Sequence, residues 1–259
     1  MSKEFFAKVK NREYIRGTHI FAGMPPLTEC IAGVGFDAIW IDTEHTPIGI
    51  ESLQNNLIAA RAGGTPAVVR IAWNDPVLAK PVLDMGVDGI IFPYVRTAEE
   101  AKAAVESCDY PPYGIRGFGP FRALEYGKID AVDYIHNKYR ETVRIIQIEH
   151  IDAVNNLEEM CAVEGIDAFV VGMNDLSGSM GHLGDTQNPE MLRIYDKIAG
   201  IFIKNKKSFG VSSASDPKIL KSWADRGANI IFSGGDIEYV YSGAVNMLKT
   251  LTEIKKQTT

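Results

Sequence analysis

Residues 32–45 read AGVGFDAIWIDTEH, and this stretch carries the clearest signal of the chain's architecture. Gly35 suits the left-handed position just past the end of a helix, where the lack of a side chain is an advantage. The run AIWI that follows is continuously apolar, as expected for a parallel strand covered by helices on both faces. Charged and polar residues come directly after it. The stretch therefore predicts a helix end, a buried strand and a polar strand end in succession.

The same arrangement recurs along the chain. A glycine, an apolar residue and Asp or Asn occupy residues 35–37, 86–88, 165–167 and 227–229, each ahead of an apolar run and on the expected bottom face of the sheet. Eight strands separated by amphipathic helical stretches in 259 residues predict an α/β protein, a (β/α)8 TIM barrel rather than an open doubly wound sheet. The predicted strands cover residues 17–22, 36–42, 67–71, 89–93, 143–149, 168–172, 209–213 and 230–233.

Composition narrows the class of function. No stretch has the composition of a linker, so residues 1–259 are expected to form a single domain. The net charge of −6, with scattered Lys and Arg, argues against nucleic acid as a partner. No apolar run approaches the roughly 20 residues of a membrane helix, and the charged N-terminus lacks the apolar core of a secretory signal, so we expect a cytoplasmic protein. Cys30, Cys108 and Cys161 form no ligand motif and are expected to be buried, inert thiols.

Polar and ionisable side chains are concentrated where the predicted strands end. The carboxyl ends of the strands form the catalytic face of such a barrel, and a buried strand would not tolerate these groups unless they faced a site. The aromatic, Gly- and Pro-rich stretch 109–133 is expected to be an ordered active-site loop. The candidate residues at the strand ends are Asp42, Glu44, His45, Arg70, Tyr94, Gln147, Glu149, Asn174, Asp175 and Ser212.

Glu149 and Asp175 are the most informative pair. They should end adjacent strands about 5 Å apart, where two carboxylates repel unless a cation or a shared proton lies between them. An all-oxygen ligand set suits Mg²⁺ or Mn²⁺ and leaves positions for water and a chelating substrate. In the alternative interpretation, Glu149 pairs with a basic residue and Asp175 caps a helix that starts at Leu176.

His45 and Arg70 add candidates for proton transfer and charge stabilisation. A neutral imidazole beside an acidic strand end is a natural acid or base near neutral pH, although a lone histidine can also be structural. A guanidinium at the end of a buried strand needs an anionic partner. For Arg70 that partner is either a substrate oxygen or a carboxylate, with Glu44 and Asp42 as the candidates.

The motifs of this chain occur in the order of a known family. They are AGVGFDAIWIDTEH, PAVVRIAWNDP, YPPYGIRGFG, IIQIEHIDAVNNL, GIDAFVVGMNDLSGSMG and GANIIFSGGD. Over residues 17–236 the chain resembles the HpcH/HpaI aldolase family of class II pyruvate aldolases. The resemblance implies a carbon–carbon lyase that reversibly cleaves 4-hydroxy-2-oxo acids to pyruvate and an aldehyde through a metal-bound pyruvate enolate. Aromatic or sugar-acid catabolism is the implied setting.

The resemblance also implies individual roles. Glu149 and Asp175 match ligands of Mg²⁺, Mn²⁺ or Co²⁺, His45 matches an acid/base, and Arg70 matches a residue that stabilises the enolate. Family members are typically homo-hexamers that exchange their last helix between subunits. Further matches are Gln147, Asn174 and Asp175 for substrate binding, with Ser212 beside them, and Asp42 and Asp84 for orienting the histidine, Asp84 from a neighbouring subunit.

Several positions depart from the family pattern and leave the acceptor aldehyde open. His19 stands where some members carry tryptophan, Ser212 where some carry larger apolar residues, and Met173 and Asn174 alter the loop before Asp175. Semialdehydes, tartronate semialdehyde and lactaldehyde all remain candidates. Three rival functions are an acyl-CoA lyase of the citrate lyase or malyl-CoA lyase type, a Schiff-base aldolase, and a non-catalytic barrel that binds a keto acid. The Schiff-base rival needs a lysine at a strand end, and no predicted strand end carries one.

Overall fold

The computed structural model describes residues 3–257 and shows eight parallel strands closed into a barrel in sequence order. Helices cover the outside of the barrel, so the predicted (β/α)8 fold is confirmed. Predicted and observed strands correspond one to one, with ends that differ by at most two residues. The strands are β1 (Ile15–Ile20), β2 (Ala38–Asp42), β3 (Ala67–Arg70), β4 (Gly89–Phe92), β5 (Val143–Ile148), β6 (Ala168–Gly172), β7 (Ser208–Ser213) and β8 (Ile230–Gly235).

The helices follow the strands in alternation. Two short 3-10 turns, Glu125–Gly127 and Lys138–Glu141, interrupt the connection between β4 and β5. No helix in residues 3–257 combines the length and apolar character needed to cross a lipid bilayer. The α-helices are α1 (Lys3–Lys10), α2 (Pro25–Ala32), α3 (Ile50–Gly63), α4 (Pro76–Asp84), α5 (Ala98–Cys108), α6 (Ala131–His136), α7 (Ile151–Asn155), α8 (Leu157–Ala162), α9 (Met173–Ser179), α10 (Pro189–Lys204), α11 (Pro217–Asp225) and α12 (Asp236–Gln257).

The repeated glycine units form four equivalent joints at the bottom of the barrel. Asp37 accepts the backbone N–H of Arg16 at 2.9 Å, and its own N–H donates to the Arg16 carbonyl at 2.9 Å. Each joint ties the start of an odd-numbered strand to the residue before the next strand, as the sequence predicted for the bottom face. The other three joints are Asp88 with Ala67, Asp167 with Arg144, and Asn229 with Phe209.

Large side chains fill the barrel interior, and a small residue on a neighbouring strand leaves the space that they need. Trp40 and Phe232 are buried inside, with their rings 5.3 Å apart and nearly perpendicular. Gly17 lies against Phe232, and a Cβ at this position would approach the ring to 2.2 Å. At the bottom of the barrel, α1 contributes Phe5 and Val9 to the same interior cluster. The chemistry is therefore confined to the open end, where the strands finish.

The loop that follows α5 lies at the bottom of the barrel. The prediction that residues 109–133 form a loop of the active site is therefore wrong, because the candidate site lies at the other end of the same barrel. Ala123 donates its N–H to the carbonyl of Asp84 at 3.2 Å, and Arg122 donates to the carbonyls of Met85 and Leu57. The physical reason is topological: α5 has already carried the chain back to the starts of the strands.

The cysteine prediction holds only in part. Cys108 and Cys161 are buried, and burial raises the pKa of each thiol to about 11, which keeps them protonated and unreactive. Cys30 lies on α2 and is exposed. It was expected to be buried because its neighbours are apolar, but it faces outward on the helix.

Replacing Gly17 by alanine should destabilise the fold. The added methyl group meets the Phe232 ring inside a packed barrel, so we expect a loss of about 1–3 kcal/mol in the free energy of unfolding. Gly200→Ala is the matched control, because nothing lies within 4 Å of a Cβ at that position in α10. The control should gain up to about 1 kcal/mol from helix propensity. Urea unfolding of both variants measures the difference, and equal effects would contradict this interior packing.

Candidate active site

Asp42 and Arg70 form a buried ion pair at the ends of β2 and β3. The two residues are paired in the strand register. Arg70 donates from Nε and Nη2 to the two carboxylate oxygens of Asp42 at 2.9 and 2.7 Å. Its guanidinium also lies 5.2 Å from the ring centroid of Trp40, which supports it from below. This bidentate geometry fixes the orientation of the guanidinium at the open end of the barrel.

Glu44 gives Arg70 a second carboxylate. Its Oε2 lies 3.0 Å from Arg70 Nη1, but this buried oxygen has no aligned hydrogen bond within the described chain, so the contact is an ion pair only. Burial raises the pKa of Glu44 above its usual range. Both carboxylates considered as structural partners of Arg70 therefore bind it, and Arg70 also lines a cavity at this end of the barrel.

Glu149 follows β5 and is almost completely buried, with 2% of its surface exposed. Its Oε1 accepts the backbone N–H of Tyr94 at 2.6 Å, and its Oε2 accepts from Nε2 of Gln147 at 2.5 Å. Burial raises the pKa of Glu149 to about 8, and the nearby carboxylates of Glu44 and Asp175 act in the same direction. The ion pairs of the described residues include none between Glu149 and a basic side chain, so the alternative of a basic partner finds no support.

Asp175 lies in the first turn of α9 and is exposed to solvent. The helix begins at Met173, three residues before the start at Leu176 that the capping alternative assumed, and its cap is Gly172, so Asp175 is not its cap. As expected, Glu149 and Asp175 follow adjacent strands, β5 and β6. The first backbone N–H groups of a helix have no partner within it, which leaves those of Asn174 and Asp175 free to bind an anion.

Gly172 allows the backbone of β6 to approach Glu149. A Cβ at this position would lie 2.7 Å from Nε2 of Gln147 and 2.8 Å from Oε2 of Glu149. Any side chain here would displace the carboxylate. The glycine before α9 is therefore a requirement of the site, since its φ of −92° would be open to other residues.

The donor set around Glu149 fits a hard divalent cation. A buried carboxyl group, a second carboxylate on the next strand end and the unpartnered Oε1 of Gln147 are all oxygen groups that such a cation prefers. A cation would favour the charged form of Glu149, whose pKa is raised by burial and, to a smaller extent, by the carboxylates of Glu44 and Asp175. Among residues 3–257, no cluster of three or more His, Cys, Asp or Glu side chains could hold a metal ion. A site here thus depends on two protein carboxylates and leaves other positions for water or substrate.

His45 lies at the rim of the site. Its side chain is 64% exposed, and its Nε2 is 3.9 Å from Oε2 of Glu44. Asp42, implied by the family resemblance to orient this histidine, instead binds Arg70 within the chain. Asp84 ends α4 and accepts from Arg116 at 2.8 Å at the bottom of the barrel, away from the His45 of its own chain.

His19 forms a buried hydrogen-bonded corner with Ser212 and Gly234. Its Nδ1 is 2.6 Å from the carbonyl oxygen of Gly234, and its Nε2 is 2.9 Å from the hydroxyl of Ser212. Burial lowers the pKa of His19 to about 4, so the imidazole is neutral at physiological pH. A carbonyl can only accept, so Nδ1 carries the proton, and the bare Nε2 accepts the hydroxyl proton of Ser212.

The other departures from the family pattern separate into two groups. Met173 points into the helix layer, where its sulfur accepts from Nε1 of Trp223 at 3.2 Å, so it does not line the site. Asn174 is exposed and lines the same cavity as His19, Ser212 and Arg70. Met173 thereby leaves the set of candidate specificity residues, and Asn174 stays in it.

Two contributors to the site received no role from the sequence. The sequence marks Tyr94 only as a polar strand end, yet its backbone N–H binds Glu149 and its φ of +58° is unusual for a bulky residue. The sequence shows Gly172 only as part of a motif. Neither could be assigned from residue type, because one acts through its backbone and the other through the absence of a side chain.

The sequence and the fold have known relatives. Residues 19–242 match the family described as HpcH/HpaI aldolase/citrate lyase. The chain is 34% identical over 233 residues to the 4-hydroxy-2-oxo-heptane-1,7-dioate aldolase of Klebsiella pneumoniae subsp. pneumoniae, covering 89% of this chain and 87% of that one. It is 34% identical over 239 residues to the 2-dehydro-3,6-dideoxy-6-sulfogluconate aldolase of Pseudomonas putida, covering 91% of each. A crystal structure of an HpcH/HpaI aldolase/citrate lyase family protein from Burkholderia cenocepacia J2315 has a TM-score of 0.90 and 25% identity, covering 97% of this chain and 100% of that one.

Glu149→Gln should change how stability depends on pH. The pKa of this carboxyl is about 8 in the folded chain and about 4.5 when the carboxyl is exposed in the unfolded chain. Between these two pH values only the folded state keeps the proton. Stability of the wild type must therefore fall as the pH rises through this interval, and the variant lacks that contribution. Its melting temperature relative to wild type should rise from about pH 5 to about pH 8, measured in chelator. Parallel curves for the two proteins would contradict a buried, protonated Glu149.

Proposed function

Because this chain belongs to the HpcH/HpaI aldolase/citrate lyase family and is a carbon–carbon lyase of the aldolase class, we propose that it reversibly cleaves 4-hydroxy-2-oxo acids to pyruvate and an aldehyde. We propose further that the reaction depends on a divalent cation and that residues 1–259 act as one barrel domain. The observation that carries the proposal is the buried Glu149 carboxyl beside Asp175, facing the fixed guanidinium of Arg70.

Glu149 and Asp175 would hold the cation, with Mg²⁺, Mn²⁺ and Co²⁺ as the candidates. Bound there, a divalent cation supplies Lewis-acid stabilisation to negative charge on the keto oxygen of the substrate. Gln147 contributes by orienting Glu149, because its amide donates to Oε2 of that carboxylate. The amide also leaves its own oxygen unpartnered in the described chain, available to a bound ligand.

The α9 N-terminus and Arg70 would bind the pyruvate half of the substrate. Backbone N–H groups of Asn174 and Asp175 suit its carboxylate, since the start of a helix attracts anions. Arg70 places a fixed positive charge toward the C2 oxygen, where negative charge develops as the C3–C4 bond breaks. Asp42 and Glu44 hold that guanidinium in position, so it need not reorganise during the reaction.

His45 would exchange the proton of the C4 hydroxyl. In the cleavage direction its imidazole accepts this proton while the aldehyde carbonyl forms, and the electrons of the C3–C4 bond move onto pyruvate. C3 of pyruvate then takes up a proton. The exposed position of His45 at the rim leaves room for the aldehyde to depart. A role for Asp84 in orienting His45 belongs to the proposed oligomer, in which it would come from a neighbouring subunit.

The lysines of the chain do not favour Schiff-base chemistry. That mechanism needs a lysine in the pocket that receives the keto group. Among the described residues that line the cavity beside Arg70 there is none. Lys80, Lys102 and Lys204 lie on the outer helices α4, α5 and α10.

Arg70→Lys should retain the charge and lose most of the activity. A lysine cannot bind Asp42 in a bidentate manner and cannot hold a planar cation at the keto oxygen, so we expect kcat to fall by about 10²–10³-fold. Pyruvate methyl deuterium exchange and cleavage assays with added Mg²⁺ or Mn²⁺ measure the effect. Arg193→Lys, an exposed arginine of α10, is the control and should match wild type. Full activity of the wild type in excess chelator would refute the cation requirement.

The last helix supports a proposal about assembly. The 22 residues of α12 are amphipathic, and its apolar side chains remain exposed, including Leu248 at 67% and Leu251 at 56%. A helix of this length spans about 33 Å, too much apolar surface for an isolated chain to leave in water. We propose that α12 packs on a neighbouring subunit in a homo-oligomer, a hexamer with exchanged helices.

Two charges on the apolar face of α12 should weaken this assembly. The double variant Leu248→Asp/Leu251→Asp places carboxylates in the proposed interface, whereas Thr252→Asp adds a charge at an exposed polar position of the same helix. Light scattering after size-exclusion chromatography should give a hexamer for wild type and for the control. The double variant should have a smaller mass. An unchanged mass would contradict packing through this face.

A further inference from the structure

A cavity of about 300 Å³ adjoins the proposed pyruvate site on the side of β1, β7 and β8. Arg70 and Asn174 border it on the side of the catalytic groups, and His19, Ser212 and Glu238 border it on the other side. A substrate whose pyruvate half lies at Arg70 would place its aldehyde half here. The walls of this cavity therefore select the aldehyde.

The hydrogen-bonding direction of Ser212 is determined by the corner behind it. The Gly234 carbonyl can only accept, so the proton of His19 is on Nδ1. The neutral ring then presents a bare Nε2, and the Ser212 hydroxyl donates its only proton to it. His19 cannot turn, because its ring is buried and stacks on Phe21 with centroids 5.3 Å apart. Ser212 thus offers lone pairs, and no proton, to whatever occupies the cavity.

The charge of the cavity disfavours an anionic aldehyde. Among its described lining residues Arg70 is the one cation, and its charge is already matched by Asp42 and Glu44. Glu238 in the first turn of α12 adds a negative charge at the mouth. A second carboxylate on the aldehyde would meet a hydrogen-bond acceptor and a like charge with no cation free to bind it.

We propose, resting on the aldolase function above, that the aldehyde substrate is an uncharged hydroxyaldehyde whose hydroxyl group donates a hydrogen bond to Ser212. The hydroxyl supplies the proton that Ser212 cannot. Asn174 also lines the cavity and can accept or donate to a further hydroxyl. His19 acts as a specificity-determining residue through Ser212, without contact to the reacting atoms.

An aldehyde panel in the condensation direction tests this inference. Glyceraldehyde, propanal and succinate semialdehyde are compared with pyruvate and Mg²⁺ or Mn²⁺ in the wild-type protein. One hydrogen bond of ordinary strength corresponds to about a tenfold preference in kcat/KM for glyceraldehyde over propanal. Ser212→Ala should reduce this preference to about threefold or less. Ser215→Ala removes the same hydroxyl from an exposed position beyond the strand and should keep the full ratio.

A variant of Glu238 tests whether negative charge at the cavity disfavours an anionic aldehyde. Glu238→Gln should raise kcat/KM for succinate semialdehyde by about threefold at low ionic strength, and added salt should diminish the gain because exposed charges are screened. The ratio of glyceraldehyde to propanal should stay near its wild-type value. A ¹⁵N NMR measurement of His19 should show a neutral ring protonated at Nδ1 in the wild type.

The outcomes separate this inference from the aldolase proposal. Deuterium exchange at the pyruvate methyl group reports the first half of the chemistry without any aldehyde. No exchange with any of the metals would overturn the proposed function itself. Exchange together with a preference for succinate semialdehyde, an unchanged ratio in Ser212→Ala, or a His19 ring protonated at Nε2 would overturn the hydroxyaldehyde inference alone.

Discussion

The ion pair of Asp42 and Arg70 is the interaction on which the open end of the barrel depends. It joins the last residues of β2 and β3, which are paired in the strand register. The pairing of these two strands therefore fixes the position of the guanidinium. Arg70 has only 8% of its surface exposed, and burying its guanidinium would be costly without the two hydrogen bonds to a carboxylate. Trp40 supports it from inside the barrel. The strand register of the closed barrel therefore holds the positively charged guanidinium of Arg70 in a fixed position at the site.

Around this cation the site has an excess of carboxyl groups. Asp42 and Glu44 both pair with Arg70, and among the described residues no ion pair joins Glu149 or Asp175 to a basic side chain. Burial raises the pKa of Glu149 to about 8, and the carboxylates of Glu44 and Asp175 act in the same direction, so the buried carboxyl holds a proton. A divalent cation would accommodate the same excess and release that proton. The same group of carboxyl side chains thus contributes to the raised pKa of Glu149 and to the proposed binding of a divalent cation.

The wall of the site formed by His19, Ser212 and Gly234 is polar for a different reason. Its polarity comes from the direction of its hydrogen bonds and not from charged side chains. The Gly234 carbonyl orients His19, and His19 orients the Ser212 hydroxyl. Large aromatic rings, Phe21, Trp40 and Phe232, surround the imidazole and keep it from turning. In the proposed reaction, the catalytic half of the site can stay constant while these two hydrogen bonds select the aldehyde.

The barrel, the order of its strands and the strand ends that carry the candidate site can all be predicted from the sequence. Apolar runs and the repeated glycine units are local signals, and parallel strands bring all their carboxyl ends to one face. Residue types also identified Glu149, Asp175, Arg70 and His45 as candidates. They could not show that Arg70 binds both Asp42 and Glu44, since either pairing is compatible with the same spacing.

Which side of each element faces the candidate site depends on how the elements pack in three dimensions. This packing turned Met173 into the helix layer, exposed Cys30, and carried the 109–133 segment to the bottom of the barrel. The structure also revealed the contributions of Tyr94 and Gly172, which act through a backbone N–H and through empty space. Such contributions depend on the close approach of distant segments, and no local pattern of side chains encodes that approach.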